Sequence, residues 1–203
     1  MRDDLSFLRD LERTIDAIDE KPYRKYWNEL GHFIHVFSET EYWLLLLLHK
    51  YAGVKPKIAG VIFSGTRSDA AKDQIKAILD ATEKPKILAR LERPLAQMAT
   101  INTIRNHLIH WGATHSRTKK LRVSNALLYP SAKRLKEFSI SPEDLRAMRQ
   151  DLYRISAYFM LELYPRRQRF WSEWLAKPWL YKPPQPSQRR KGSGKTRSTR
   201  RSR

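Results

Sequence analysis

The stretch Tyr42-Trp-Leu-Leu-Leu-Leu-Leu48 decides the fold class of this chain. It belongs to a helical pattern over residues 23–51, in which apolar residues recur on one stripe, with a possible bend at Gly31. A helix that is apolar on every side is buried by other helices or by a partner subunit. The run is far too short to span a membrane. It therefore predicts the central helix of an all-α bundle.

Four further long helical segments and one short helix are predicted before and after this one in the sequence. Residues 3–20 repeat Leu and Ile every three or four positions, and Ser68 is placed to cap a helix that runs to about Ala81. Residues 83–111 are helical with a break or kink at Pro94. Ser141, followed by a proline and two acids, begins a helix that reaches Tyr164. A short helix in 166–181 is expected to pack its Trp residues on the bundle, in preference to presenting them as an exposed base-stacking platform.

Two segments depart from the helical pattern. Residues 54–67 predict a connection with a short extended piece at 58–63, and residues 121–129 and 136–140 predict a small β-hairpin. The predicted architecture is an all-α bundle of about five helices with a possible hairpin insertion. The bundle domain covers residues 1–181, and the basic segment 182–203 is predicted to be a disordered tail.

The charge of the chain predicts a polyanionic partner. The net charge is +19, and residues 182–203 contribute nine Lys or Arg and no acid, which leaves +10 for the remainder. Each neutralised phosphate adds sequence-independent affinity, so nucleic acid is the favoured partner, well ahead of an anionic membrane surface, and no membrane partner is expected. We predict nucleic-acid contacts from the tail residues Arg189, Arg190, Lys191, Lys195, Arg197, Arg200, Arg201 and Arg203. The absence of cysteine and of an N-terminal signal-peptide pattern indicates a cytoplasmic protein.

The candidate active site is the stretch Ile104-Arg-Asn-His-Leu-Ile-His-Trp-Gly112. Asn106 and His110 lie four residues apart on one face of the helix, Arg105 lies beside them, and His107 is one turn behind His110. These groups could converge on a phosphate, because Arg clamps it, His titrates near neutral pH and a carboxamide orients either one. The alternative is a His that only complements the helix dipole, with Gly112 ending the helix.

Other chemistries have less support. Phosphate loops, serine elbows and dinucleotide fingerprints are missing, and acids are scattered, so we predict no cofactor and no metal. Glu29 and His32 have the spacing of a di-iron motif, but the motif occurs once where a bundle needs two. Glu39, like Glu41, is either a solvated carboxylate or a partner of Arg105 or a protonated His.

The motif Arg105-Asn106-x-x-x-His110 at a helix end, preceded by the helix with Ser38-Glu39, resembles the ribonuclease signature of the HEPN superfamily (higher eukaryotes and prokaryotes nucleotide-binding domains). The resemblance covers about residues 5–165. It implies a metal-independent endoribonuclease, usually a homodimer with the site at the subunit interface. It also implies a product with a 2′,3′-cyclic phosphate. Proteins of this family often act as toxins that are paired with an antitoxin protein, or in defence, so the resemblance implies one of these roles.

The resemblance also assigns roles. His110 would act as the general base or acid, Arg105 would stabilise charge on the phosphorane, Asn106 would orient the phosphate or the imidazole, and Glu39 and His107 are possible supporting residues. Two alternatives remain: a non-catalytic RNA-binding helical dimer, and an interaction module whose basic tail binds an acidic partner.

Overall fold

The computed structural model describes residues 24–111, 113–115, 120–125, 136–165 and 172–183. The described helices are α1 (Arg24–Ala52), α2 (Pro56–Ile62), α3 (Ser68–Ala81), α4 (Pro85–His110), α5 (Pro142–Leu163) and α6 (Ser172–Ala176). The strands are β1 (Ala113–His115), β2 (Leu121–Ser124) and β3 (Glu137–Ile140). The predicted all-α class with a small β insertion is confirmed. The predicted helix at 3–20, the helix stop at Gly112 and the basic tail from residue 184 onward lie outside the described residues.

Helix α1 is the centre of the bundle. It packs most extensively against α5 and then against α3, while α4 packs against α3 and α5. Phe33, Phe37, Leu44, Leu47 and Leu48 of α1 are at most 1% exposed. The expectation that residues 42–48 are buried on every side is too strong, because Tyr42 is 58% exposed.

One hydrophobic core joins these helices to the sheet and to residues 172–183, which we call the C-terminal segment. Besides α1, it is built from regularly spaced apolar residues of α3, α4 and α5, including Ile75, Leu79, Leu91, Leu95, Ile101, Leu145, Leu152, Ile155 and Phe159. Val123 and Ile140 from the sheet and Tyr181 from the C-terminal segment complete it. Removing this apolar surface from water is the main stabilising contribution, at about 25 cal/mol per Å².

Helix ends follow the local sequence at two places. Helix α1 ends at Ala52, and Gly53 follows with φ +66°, the left-handed conformation that glycine adopts without steric cost. Helix α5 begins with a capping box in which the Ser141 hydroxyl accepts from the Asp144 N–H at 3.1 Å. The Asp144 carboxylate in turn accepts from the Ser141 N–H at 2.8 Å. The predicted start of α5 is therefore confirmed.

Three local predictions are wrong. The extended piece expected at 58–63 is part of helix α2, which has Pro56 in its first turn, where a proline costs no hydrogen bond. Ser68 does not cap α3, since Arg67 is at the cap position and the Ser68 hydroxyl donates to Glu41. Pro94 does not break the fourth helix, which is continuous from Pro85 to His110.

The strands form a three-stranded antiparallel sheet in the order β1-β2-β3. Leu121 pairs with Ile140 and Val123 with Phe138, so the predicted hairpin is present, and β1 is an additional strand that pairs with β2. Leu121, Val123 and Ile140 are buried, which places this face of the sheet against the bundle. The sheet thereby lies next to the end of α4, since β2 contacts that helix.

The C-terminal segment is held against α5 by hydrogen bonds to Asp151. The fully buried carboxylate of Asp151 accepts from the backbone N–H groups of Leu180 and Tyr181, both at 2.9 Å, and from the Gln97 amide at 3.0 Å. Trp179 packs on Tyr158 at 6.3 Å between ring centroids. Packing of this tryptophan on the bundle is therefore confirmed.

No helix in the described ranges combines the length and the apolar character that crossing a lipid bilayer requires.

Candidate active site at the end of helix α4

The last two turns of α4 change from buried to exposed residues. Ile101 and Ile104 are buried, Arg105, Asn106 and His107 are half-buried, and His110 is exposed at the final helical position. The Trp111 N–H donates to the His107 carbonyl at 2.9 Å and closes the last turn. The buried residues Ile101 and Ile104 anchor α4 in the core, so the polar groups of its last turns lie at the surface on a packed helix.

Arg105 is fixed by neutral groups. Its Nη1 donates to the Asn106 Oδ1 at 3.0 Å, and the guanidinium carbon lies 5.4 Å from the centroid of the Phe37 ring of α1. Its Nε is buried without a hydrogen-bond partner, and among the described residues no carboxylate pairs with it. The protein therefore holds this cation in place without neutralising its charge.

The bond between Arg105 and Asn106 joins adjacent residues. From the residues alone, the Asn106 amide could orient either the arginine or a histidine, and the resemblance assigned it to the phosphate or the imidazole. In the structure it accepts a hydrogen bond from Arg105. Sequence reasoning missed Phe37, whose position on the apolar stripe of α1 indicated a core residue only. The structure places Phe37 in the core and under the guanidinium at the same time.

His107 lies in an aromatic stack rather than beside Arg105. Its ring is stacked on Trp111, with centroids 3.6 Å apart and planes at 21°, and it lies 5.8 Å from the ring of Phe138. Its Nδ1 is buried without a partner in the described structure. Burial, followed by the nearby ammonium of Lys136, lowers the pKa of His107. The neutral imidazole is favoured, and its role is packing between α4 and the sheet.

His110 presents an exposed imidazole at the end of α4. Within the described residues its ring makes no hydrogen bond and no ion pair, and the neighbouring Ile109 is also 46% exposed. His110 shares the helix end with Arg105, and no hydrogen bond joins its ring to the guanidinium. The two groups are therefore neighbours along one helix.

The carboxylates of α1 have partners other than Arg105. Glu39 Oε1 lies 3.6 Å from His35 Nε2 along the same helix, and both side chains are exposed. Glu41 accepts from Ser68. Among the described residues neither Glu39 nor Glu41 pairs with Arg105, and the contact of Glu39 with His35 corresponds to the other alternative, a pair with a histidine.

The described residues contain no cluster of three metal-ligating side chains. The pair with di-iron spacing is engaged in a cationic network instead: Glu29 binds Arg146 at 2.7 Å and Arg149 at 3.0 Å. Arg149 also lies 3.0 Å from His32 Nδ1. The tail residues predicted to contact nucleic acid, Arg189 to Arg203, lie outside the described residues.

We compared the chain with models of protein families, with curated proteins and with solved structures, and none of them matches it.

Proposed function

We propose that this protein is a metal-independent endoribonuclease of the HEPN type, which cleaves RNA by attack of a 2′-hydroxyl and leaves a 2′,3′-cyclic phosphate. The observation that carries the proposal is the state of Arg105: a cation held by an amide and a phenyl ring, with no described carboxylate paired to it, on the same helix end as the exposed His110. Such an arrangement suits an anion that arrives from outside the chain.

In this mechanism His110 removes the proton of the 2′-hydroxyl or donates one to the leaving 5′-oxygen. The 2′-oxygen forms a bond to phosphorus as the bond to the 5′-oxygen breaks, and Arg105 stabilises the negative charge that gathers on the phosphoryl oxygens. Asn106 holds the guanidinium in position through its amide oxygen. Both reacting side chains reside on one helix, so their spacing is set by the backbone.

The net charge of +19 supports RNA as the substrate class. A homodimer is part of the proposal and rests on the resemblance. Sedimentation over a hundredfold range of concentration tests this part, and a monomer mass throughout would contradict it. A toxin or defence role with an antitoxin partner rests on the resemblance alone.

The test is incubation of purified protein with mixed RNA in EDTA, followed by analysis of the cut ends. Wild-type protein should produce cyclic phosphates, and His110→Ala should lose about 10²- to 10⁴-fold in cleavage rate, the contribution of a poised acid or base. His32→Ala is the matched control, because it removes an exposed imidazole on α1 and should leave cleavage unchanged. If neither wild type nor His110→Ala cleaves while both bind RNA, the protein is the non-catalytic RNA-binding alternative.

A further inference from the structure

A second site lies between α5 and the C-terminal segment. It is a cleft of about 550 Å³, bordered by Gln150, Tyr153 and Arg154 of α5 and by Trp174, Lys177 and Leu180 of the C-terminal segment. This volume falls within the range of about 300–1,000 Å³ that small-ligand sites occupy. The cleft shares no residue with the Arg105 site.

The walls of the cleft are fixed by buried contacts. Arg154, which is 3% exposed, donates from Nη1 to the Pro178 carbonyl at 2.8 Å and from Nη2 to the Lys177 carbonyl. Tyr158 donates to the Leu175 carbonyl at 2.9 Å and holds α6. A wall tied to α5 at both places loses little conformational freedom when a ligand binds.

The cleft presents flat apolar surface together with cations. Tyr153 is 48% exposed and Leu180 is 52% exposed, Trp174 is half-buried, and Lys177 is exposed. Among the described residues that border the cleft there is no carboxylate. Asp151, the acid of α5 closest in sequence, is fully buried. The nine basic residues of 182–203 follow directly along the chain. This combination suits a ligand with a planar face and a negative charge.

We propose that the cleft binds one unpaired nucleotide of single-stranded RNA. The base stacks on Tyr153, Trp174 and Leu180 complete the apolar surface, and the ammonium of Lys177 contacts the phosphate. A base in a duplex is stacked on its neighbours and cannot enter, so the cleft selects single strands. The inference rests on the proposed function in one respect, since RNA is taken as the substrate of the Arg105 site.

The experiment measures binding of a labelled 12-nucleotide oligouridylate to full-length protein that carries His110→Ala, so that cleavage does not interfere. Adding Tyr153→Ala should weaken binding about tenfold, because stacking of one base contributes about 1–3 kcal/mol and 1.4 kcal/mol is a factor of ten. Tyr153→Phe keeps the ring and should bind like the parent. Lys177→Ala should weaken binding and lower its salt dependence by about one phosphate contact.

Tyr42→Ala is the matched control, because it removes an equally exposed tyrosine from α1 and should leave binding unchanged. Binding of an RNA duplex should not respond to Tyr153→Ala. Unchanged oligouridylate binding by Tyr153→Ala, or an equal loss for the duplex, would overturn the proposal. Thermal melting checks that each variant is folded.

The two proposals fail separately. If wild type produces cyclic phosphates while Tyr153→Ala and Lys177→Ala bind oligouridylate like the parent, the cleft proposal is wrong and the ribonuclease stands. If wild type does not cleave but Tyr153→Ala selectively loses single-strand binding, the ribonuclease is wrong and the cleft stands.

Discussion

Arg105 and Arg154 lie on helices that pack together, and each guanidinium lies against an aromatic ring, but their surroundings differ. Arg154 stacks on Trp179 at 4.7 Å, lies 3.6 Å from the Asp151 carboxylate and donates to two backbone carbonyls. Arg105 lies over Phe37 and has one neutral partner, the Asn106 amide. Arg154 is 3% exposed, whereas Arg105 is half-buried.

The difference separates a structural cation from an available one. Buried charges are retained when they are paired and hydrogen-bonded, and Arg154 meets both conditions through its terminal nitrogens. Its Nε, like that of Arg105, has no partner among the described residues, so the two arginines differ at the terminal nitrogens. Arg105 is oriented but not neutralised, so an external anion can complete its environment. We therefore expect substitution of Arg154, which has several partners within the fold, to affect mainly stability. Substitution of Arg105, which has one, should affect mainly activity.

The largest effect should come from Arg154→Ala, which removes the partner of a fully buried carboxylate. We expect the free energy of unfolding to fall by about 3–5 kcal/mol, the cost of breaking a buried pair from one side, as measured by urea denaturation. Arg93→Ala is the matched control: Arg93 also lies against Trp179, at 5.0 Å, and donates to the Lys177 carbonyl, but it is exposed. It should cost about 1 kcal/mol or less. An equal loss of unfolding free energy for Arg154→Ala and Arg93→Ala would show that the buried arginine is no more important for stability than the exposed one.

Arg105→Ala should show the opposite pattern. Its cleavage rate in EDTA should fall about 10²- to 10³-fold, or about 3–4 kcal/mol of transition-state stabilisation. Its free energy of unfolding should fall by about 1–2 kcal/mol, because one hydrogen bond to an amide and one cation–π contact are lost. Paired cleavage and urea measurements on the same preparation decide this. A loss of stability as large as that of Arg154→Ala would make Arg105 a second structural cation.

The smallest effect concerns pH at the end of α4. Burial lowers the pKa of His107 in the folded state, so the unfolded chain takes up a proton first as the pH falls through about 6.5. Stability contributed by the neutral ring is therefore present above that pH and is lost at lower pH, until the pH passes the folded-state pKa. His107→Gln should flatten this part of the stability curve. His110→Ala, which leaves His107 in place, should keep the wild-type slope. A flattened slope in that variant would show that the pH dependence of stability does not come from His107.

Much of the fold could be predicted because helix periodicity and caps are local signals. Four long helices, the capping box at Ser141 and the hairpin near residues 121–140 follow from spacing and turn chemistry. Helix α2 was missed because Pro56 and Gly60 also suit a connection, and its burial is limited to Ala59. Pro94 was overinterpreted, since tertiary packing of Leu91 and Leu95 keeps α4 continuous on both sides of it.

The candidate site could be predicted less completely than the fold. The pattern of Arg105, Asn106 and His110 located it, because unusual polar groups on a helix end need no tertiary information. The contacts of Arg105 with Phe37, of His107 with Trp111 and of Glu39 with His35 depend on rotamers and on packing between elements. Spacing alone cannot choose between a stacked imidazole and one that points at a phosphate.

The junction between β3 and α5 is a single residue, so an insertion or a deletion there would change how the strand and the helix are oriented. Ser141 alone separates Ile140 from Pro142, and its side chain and N–H are both engaged with Asp144. An inserted residue would rotate the strand relative to the helix and would withdraw Phe138 from the ring of His107. Insertions and deletions should therefore be excluded at this position in any relative that keeps the same end of α4.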